Sequence, residues 1–350
     1  MRTLLLFILF FSICLFSFIR NKTENPISVV AKGQMPNVAV DKAGGFHLVY
    51  GMGDSILYRY SNDHGNSFAS AMLVAVLPKL AASHTRGPQI VSTSNGLLIT
   101  ACNDLGDIFS FSKNQSGKWN KVSRVNDKDT VAKENLMALA ADGNLAYSVW
   151  LDLRDKHNKI FGAKSTNAGK TWTKNKLVYS SPDNTVCECC KPTVVMKGNN
   201  VYIMFRNWVE GNRDMYLIQS SDGGNTFGTA QKLGNGTWQL NGCPMDGGGL
   251  VLNKYGNLET VWNRKGAIYA CEPGKQEVKI GEGRSCTLTS VNGKNVYAWV
   301  EKGNVVVLKP QGKKIVIGKG QLPLLRPVNN EHIICIWENE GQIESSILEL

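Results

Sequence analysis

From Pro36 onward the chain alternates apolar and polar residues in short runs, such as Ile56-Leu-Tyr58-Arg-Tyr60 and Val201-Tyr-Ile-Met-Phe205. Clusters of Gly, Asn and Asp separate the runs. A period of two predicts β-strands, and the clusters predict the turns between them. The runs follow a longer order: a strand, a Gly or Asn turn, a second strand often ending in Trp or Phe, a polar loop, then two further strands. Read in that order, the units span 36–76, 88–125, 136–179, 192–233, 247–281 and 286–319. A seventh starts at Leu324 and runs through His332-Ile-Ile-Cys-Ile-Trp337 and Ile343-Glu-Ser-Ser-Ile-Leu348, where it lacks a fourth strand. Ile27-Ser-Val-Val30, ahead of the first unit, is predicted to supply that strand.

One turn recurs within these units. It reads Ser61-Asn-Asp63-His-Gly65-Asn-Ser67-Phe68, Ser165-Thr-Asn167-Ala-Gly169-Lys-Thr171-Trp172 and Ser220-Ser-Asp222-Gly-Gly224-Asn-Thr226-Phe227, with a worn copy from Ser112 to Trp119. The starts at 61, 112, 165 and 220 lie 51, 53 and 55 residues apart. A period of that length marks an array of similar supersecondary units. The Asp or Asn side chain can accept backbone N–H bonds inside the turn, and Gly supplies a positive φ. The closing Phe or Trp is placed to pack between neighbouring sheets.

In these residues the chain resembles the Asp-box, or BNR, repeat S-x-D-x-G-x-[ST]-[WF] of sialidase-like β-propellers. The resemblance implies an all-β fold: a β-propeller of four-stranded antiparallel blades, forming one domain over residues 27–350. The repeat counts seven blades; the six of the sialidases are the alternative. A ring closed by residues 27–30 would leave no open sheet edge between first and last blades. In that family the boxes face away from the active site. Asp63, Asn167 and Asp222 are therefore expected to be structural.

In a propeller the blade-to-blade connections and the second-to-third-strand loops share one face. The connections bring His84-Thr-Arg86-Gly-Pro88, Cys187-Glu188-Cys189-Cys190 and the segment from Trp238 to Asp246 to that face. The loops bring Asn103-Asp104, Asp152-Leu-Arg154-Asp155, Arg206-Asn-Trp208, Glu210, Arg213-Asp214 and Asn263-Arg264. Converging guanidinium groups bind a carboxylate through paired hydrogen bonds, and sialidases hold the sialic acid carboxylate with three arginines. The resemblance thus implies ligand binding by Arg86, Arg154, Arg206 and Arg264, with Trp208. It departs from the family at Arg86-Gly87-Pro88, which follows the first box where the similar Arg-Ile-Pro motif precedes it. The competing reading has the arginines pair with Asp152, Asp155, Glu210 and Asp214 and brace the loops. Sialidase chemistry also needs an acid/base aspartate and a tyrosine activated by a glutamate. Asp104 and Asp152 are the candidate acids, Glu134 and Glu210 the candidate partners. Tyr269, in a strand pattern without a signature, is the candidate nucleophile. The separation of the carboxyls decides such chemistry, and spacing along the chain does not give it.

The cysteines add a second candidate centre. Cys187-x-Cys189-Cys190 precedes the first strand of the fourth unit, and Cys243-Pro244 stands at the same place before the fifth. Equivalent connections of adjacent blades converge, so these four sulfurs are expected close together. They also resemble a sialidase-like subgroup of bacterial exported proteins with C-E-C-C and G-C-P motifs. Disulfides, a thiolate site for Cu(I) or Zn²⁺, and reduced buried thiols all stay open. Cys102, Cys271, Cys286 and Cys335 fall in or at strand patterns and are expected in the core, with Cys286 also near the axis.

The N-terminus bounds the setting. Arg2 is followed by an apolar run from Leu4 to Phe18, then by Arg20-Asn21-Lys22, which resembles a secretory signal over residues 1–22. An uncleaved anchor is the alternative, and would be the only membrane attachment expected. Lys and Arg number 39 against 28 Asp and Glu, a formal net charge of +11. A basic exported protein suits anionic partners, although lysines scattered over hairpins account for the surplus equally well. No nucleic-acid motif is present. The expectation is an exported propeller that binds or cleaves a glycan or other anionic small ligand, as an exo-glycosidase of sialidase type if it is an enzyme. That reading requires no cofactor. The cysteine reading would add a thiolate-bound metal, and a protein-binding scaffold is the remaining class.

Overall fold

A computed structural model describes residues 26–113 and 117–350. The apolar leader expected at 1–22 and the middle of the worn turn copy lie outside the described residues. The strands form seven four-stranded antiparallel sheets. Six are sequential, at 34–76, 89–124, 137–179, 193–232, 248–282 and 284–319. The seventh combines Gln321–Pro327, His332–Asn339 and Gln342–Glu349 with Ser28–Lys32, which pairs antiparallel with the last strand through Ser28↔Ser345 and Lys32↔Gln342. The protein is a seven-bladed β-propeller, closed by the N-terminal strand as its pattern predicts.

Packing explains why the second strand of a blade is the most apolar. Each sheet lies between two others, so Phe46–Met52 is buried at every position but the last, and Leu145–Asp152 at every position but the first. Seven apolar clusters fill the seven seams between adjacent blades. The seam that closes the ring holds Val30, Ala31, Phe46, Leu48, Ile334 and Ile336.

The recurrent turns join third strands to fourth strands. In the last copy Asp222 Oδ1 accepts bonds from Ser220 Oγ (2.7 Å), Asn225 N (2.9 Å) and Thr226 N (2.9 Å), while Oδ2 accepts from Thr226 Oγ1 (2.6 Å). Asp63 repeats the scheme with Ser61 and Ser67. Asn167 keeps it by reversing one bond, its Nδ2 donating to Thr171 Oγ1 at 2.9 Å. Each closing aromatic reaches the preceding blade: Trp172 Nε1 donates to Ser110 Oγ at 3.2 Å, and Phe227 meets Tyr147 edge-on at 5.9 Å.

A second, shorter repeat lies at the entries to two neighbouring blades. Lys32-Gly33-Gln34-Met35-Pro36 and Lys319-Gly320-Gln321-Leu322-Pro323 enter blades one and seven. Gly33 and Gly320 have φ of 149° and 144°, and a Cβ there would lie 2.5 Å from the Tyr50 ring and 2.4 Å from the Trp337 ring, so both positions need glycine.

Candidate functional site

Strand order within the blades sets two faces. First-to-second and third-to-fourth strand turns, the boxes among them, open on one. Second-to-third strand loops and blade connections open on the other. The first strands of all seven blades line a central cavity of about 800 Å³.

Four cations stand in its wall; Lys197 and Lys254 are exposed, and the two withdrawn from solvent are Lys191 from blade four and Arg326 from blade seven. Lys191 Nζ donates to Gln89 Oε1 at 2.9 Å, reaching from blade four to blade two. Gln89 is oriented by its Nε2, which donates to the carbonyls of Gly87 (3.0 Å) and Pro88 (3.1 Å). Asn37 Nδ2 donates to the same Gln89 oxygen at 3.4 Å. Arg326 donates from Nε to Val38 O and from Nη1 to Leu325 O, both at 2.8 Å. Among the described residues neither cation has a carboxylate within ion-pair distance. Burial, then the charge of Arg326, lowers the Lys191 pKa to about 8, and burial lowers that of Arg326 as well. Asp246, also in the wall, has Oδ2 bonded by Ser285 N at 2.9 Å, and burial raises its pKa.

The arginines predicted at the rim are engaged by the protein itself. Arg154 grips Asp152 from Nε and Nη2, both at 2.9 Å, and lies 4.1 Å above the Phe161 ring; Asp152 is fully buried and also accepts Trp150 Nε1 at 2.8 Å. Arg206 is 1% exposed and donates to the carbonyls of Asp246, Arg213 and Asn263 at 2.8–3.2 Å. Arg264 pairs with Glu277 at 2.7 Å and covers the Tyr269 ring at 4.0 Å. Arg86, half-buried, donates to the carbonyls of Glu134 (2.8 Å) and His84 (3.2 Å). Trp208 lies under Arg213 at 4.1 Å. Asp104 and Glu210 are exposed on the same face. Asp155 pairs with Lys159 (2.8 Å) and Asp214 with Lys232 (2.9 Å).

The cysteines converge as their positions predict. Cys189 and Cys243 form a disulfide between the connections that lead into blades four and five. Cys187 Sγ lies 3.4 Å from Cys190 Sγ and 3.7 Å from Cys189 Sγ, and Cys189 Sγ lies 4.0 Å from Cys190 Sγ. Arg213 Nη1 donates to Cys187 Sγ at 3.0 Å. The Cys190 hydrogen bond, aided by Arg213 and Arg206, holds the Cys187 pKa below the usual thiol value against its burial; burial and Cys187 push Cys190 up. Cys102, Cys271, Cys286 and Cys335 are buried free thiols in four different seams.

Lys191, Gln89 and Arg326 are absent from the residues singled out by sequence. Their signal is a long polar residue in or beside a first strand, where neighbours are small or apolar. It is visible in Leu-Leu-Arg326-Pro and was masked at Lys191 by the adjacent cysteines.

No family profile and no curated protein matches the chain. Among solved structures it is similar to an α-L-arabinanase of Penicillium chrysogenum complexed with arabinobiose, at 15% identity and TM-score 0.56, covering 93% of this chain and 98% of that one. It is similar to the α-L-arabinofuranosidase Arb93A of Fusarium graminearum at 13% identity and TM-score 0.57, covering 93% and 98%. A virginiamycin B lyase of Staphylococcus aureus superposes at 10% identity and TM-score 0.57, covering 93% and 100%. Proteins named for glycoside cleavage and for lyase chemistry thus superpose equally well. The likeness, which spans nearly the whole chain, is one of fold.

Proposed function

We propose that the chain is an exported propeller that binds a small acidic glycan by its carboxylate in the central cavity. The observation that carries this reading is the pair Lys191 and Arg326, the two partly buried cations among four in the wall of one 800 Å³ cavity, with no carboxylate at ion-pair distance among the described residues. A cavity of that size suits a small ligand. A uronic or sialic acid brings a carboxylate for the cations and hydroxyls for Gln89, Asn37 and Thr193. The names of the arabinanase and the arabinofuranosidase support a glycan as the ligand class. Export is supported by the Cys189–Cys243 disulfide and the apolar leader. Arg86, Asp104, Trp208 and Glu210 would form the rim that meets a longer glycan. Binding is favoured over hydrolysis because the Asp152 carboxylate is held by Arg154 and Trp150, and that of Asp246 by Ser285 N.

The test is calorimetric titration with glucuronate and N-acetylneuraminate against glucose and galactose. Acidic sugars should bind and neutral ones should not. Lys191→Gln should weaken the acidic sugar about tenfold or more, the worth of one charge-assisted bond, and Lys191→Arg should restore part of it. Equal binding of acidic and neutral sugars would refute the cavity reading. Release of 4-methylumbelliferone from acidic glycosides would replace binding by hydrolysis, with Asp104 and Glu210 the first residues to substitute.

A further inference from the structure

Beside the cavity lies a charge imbalance that the glycan reading leaves unused. Arg206 and Arg213 are 1% and 3% exposed, and neither has a carboxylate within ion-pair distance among the described residues. Arg206 donates only to carbonyls. Arg213 donates to Leu240 O at 3.3 Å and to Cys187 Sγ at 3.0 Å. The nearby acids are committed elsewhere: Asp214 to Lys232 and Trp238 N, the Asp246 carboxylate to Ser285 N. Two buried guanidinium charges without a partner are expensive. Besides the Asp246 carboxyl, whose burial raises its pKa, the groups that face them and can carry negative charge are sulfurs.

Three of those sulfurs already stand at metal-ligand spacing. The Sγ atoms of Cys187, Cys189 and Cys190 are 3.4, 3.7 and 4.0 Å apart. Thiolates bound at about 2.3 Å around a tetrahedral ion are about 3.8 Å apart. The fourth sulfur, Cys243, is bonded to Cys189 and belongs to an exposed residue. The frame is fixed independently of any ion. Cys187 N donates to Arg206 O at 3.1 Å, and Arg213 N donates to Trp238 O at 2.8 Å. The cysteine connection, the loop carrying both arginines and the connection into blade five are therefore held to one another.

We propose that Cys187, Cys189, Cys190 and Cys243 form a binding site for one thiophilic metal ion, of the Cu(I) or Zn²⁺ class, that becomes available when the Cys189–Cys243 disulfide is reduced. A dithiol reductant supplies the two electrons. Its sulfurs leave as a disulfide, and Cys189 and Cys243 gain the two protons as thiols. The ion then displaces the thiol protons. Zn²⁺ with four thiolates, or Cu(I) with three, carries a net charge of −2, which Arg206 and Arg213 balance. The disulfide state keeps only Cys187 and Cys190 free, half of the four thiolates Zn²⁺ would take and one fewer than the three for Cu(I), so it holds the ion less tightly. The site is thus redox-gated and ties blade four to blade five in either state.

The test uses the full chain, reduced with a phosphine, desalted without oxygen, and titrated with Zn²⁺ alone or Cu(I) alone against a coloured chelator. The reduced chain should bind one ion, and the oxidised chain should bind it at least tenfold more weakly; comparing the two ions decides between the classes. Arg213→Gln should weaken binding about tenfold, the usual effect of losing a group that supports a ligand. Cys190→Ser should weaken it further, and Cys271→Ser, in a different seam, should leave it unchanged. The exposed Cys243→Ser serves if the Cys190 variant fails to fold, and should also bind Zn²⁺ more weakly. Equal binding by reduced and oxidised chains, or undiminished Zn²⁺ binding by Cys243→Ser, overturns the proposal. So does conversion of the reduced chain to a Cys187–Cys190 disulfide with no ion held, which would make the cluster a thiol–disulfide relay.

Discussion

Substituting Gly224 by Ala tests whether a box is a wedge between blades or only a turn. Gly224 has φ of 83°, and a Cβ there would sit 2.1 Å from Tyr147 Cε2 and 2.7 Å from Cδ2, in the preceding blade. Tyr147 is 1% exposed and has little room to withdraw. Phe227 meets its ring at 5.9 Å, and on Gly162 a Cβ would lie 2.5 Å from the same ring. The backbone conformation alone costs about 1–2 kcal/mol for a residue with a Cβ. Forcing a methyl against an immobile ring adds about 1–3 kcal/mol, so Gly224→Ala should lose roughly 2–5 kcal/mol. Gly256 separates the two effects: its φ is 87° and nothing lies within 4 Å of its Cβ position. Gly256→Ala should lose only the first part, about 1–2 kcal/mol. Urea unfolding followed by tryptophan fluorescence measures both, and Tyr147→Leu as a background measures the coupling. Equal losses for the two glycine variants, or no coupling to residue 147, would refute the wedge.

Three further outcomes follow from the same structure. Ala31→Asp places a carboxylate in the closing seam, beside Phe46 and Ile334, and should lower the unfolding midpoint while speeding proteolysis near residue 30 by releasing the N-terminal strand; an unchanged midpoint would deny that this strand closes the ring. Asp152→Ala takes the acceptor from the Trp150 indole and the closest carboxylate from Arg154, which keeps Asn175 and Asp127, and should lose about 2–3 kcal/mol, less than a fully broken buried ion pair, with glycan binding retained in the folded fraction. The bonds from Ser67 and Ser61 hold the Asp63 pKa at about 2, below the ordinary 3.8. A depressed carboxyl stabilises the fold above its unfolded value and loses that contribution as pH falls through the folded value. Wild type should therefore weaken between about pH 4 and pH 2 more steeply than Asp63→Asn, and parallel acid titrations of the two would contradict it.

The sequence by itself determined the parts of this protein that are made locally or by repetition. The box turns close within eight residues, since Ser220, Asp222, Asn225 and Thr226 satisfy one another. Their spacing therefore reported the blades directly. The missing fourth strand of the last unit and the spare strand before the first identified the closure. Even the meeting of Cys243 with the Cys187–Cys190 segment was legible, because both occupy the same position in adjacent units. The tertiary structure alone decided what each polar side chain touches. Arg206 takes its acceptors from residues 213, 246 and 263, and Lys191 finds Gln89 across 102 positions of sequence. Arg264 meets Glu277 rather than Glu210 or Asp214, and Cys189, not Cys187 or Cys190, takes Cys243. A repeat specifies which backbone positions stand opposite one another. The reach and rotamer of a long side chain, and the burial that compels it to find a partner, are set only once seven blades surround the axis.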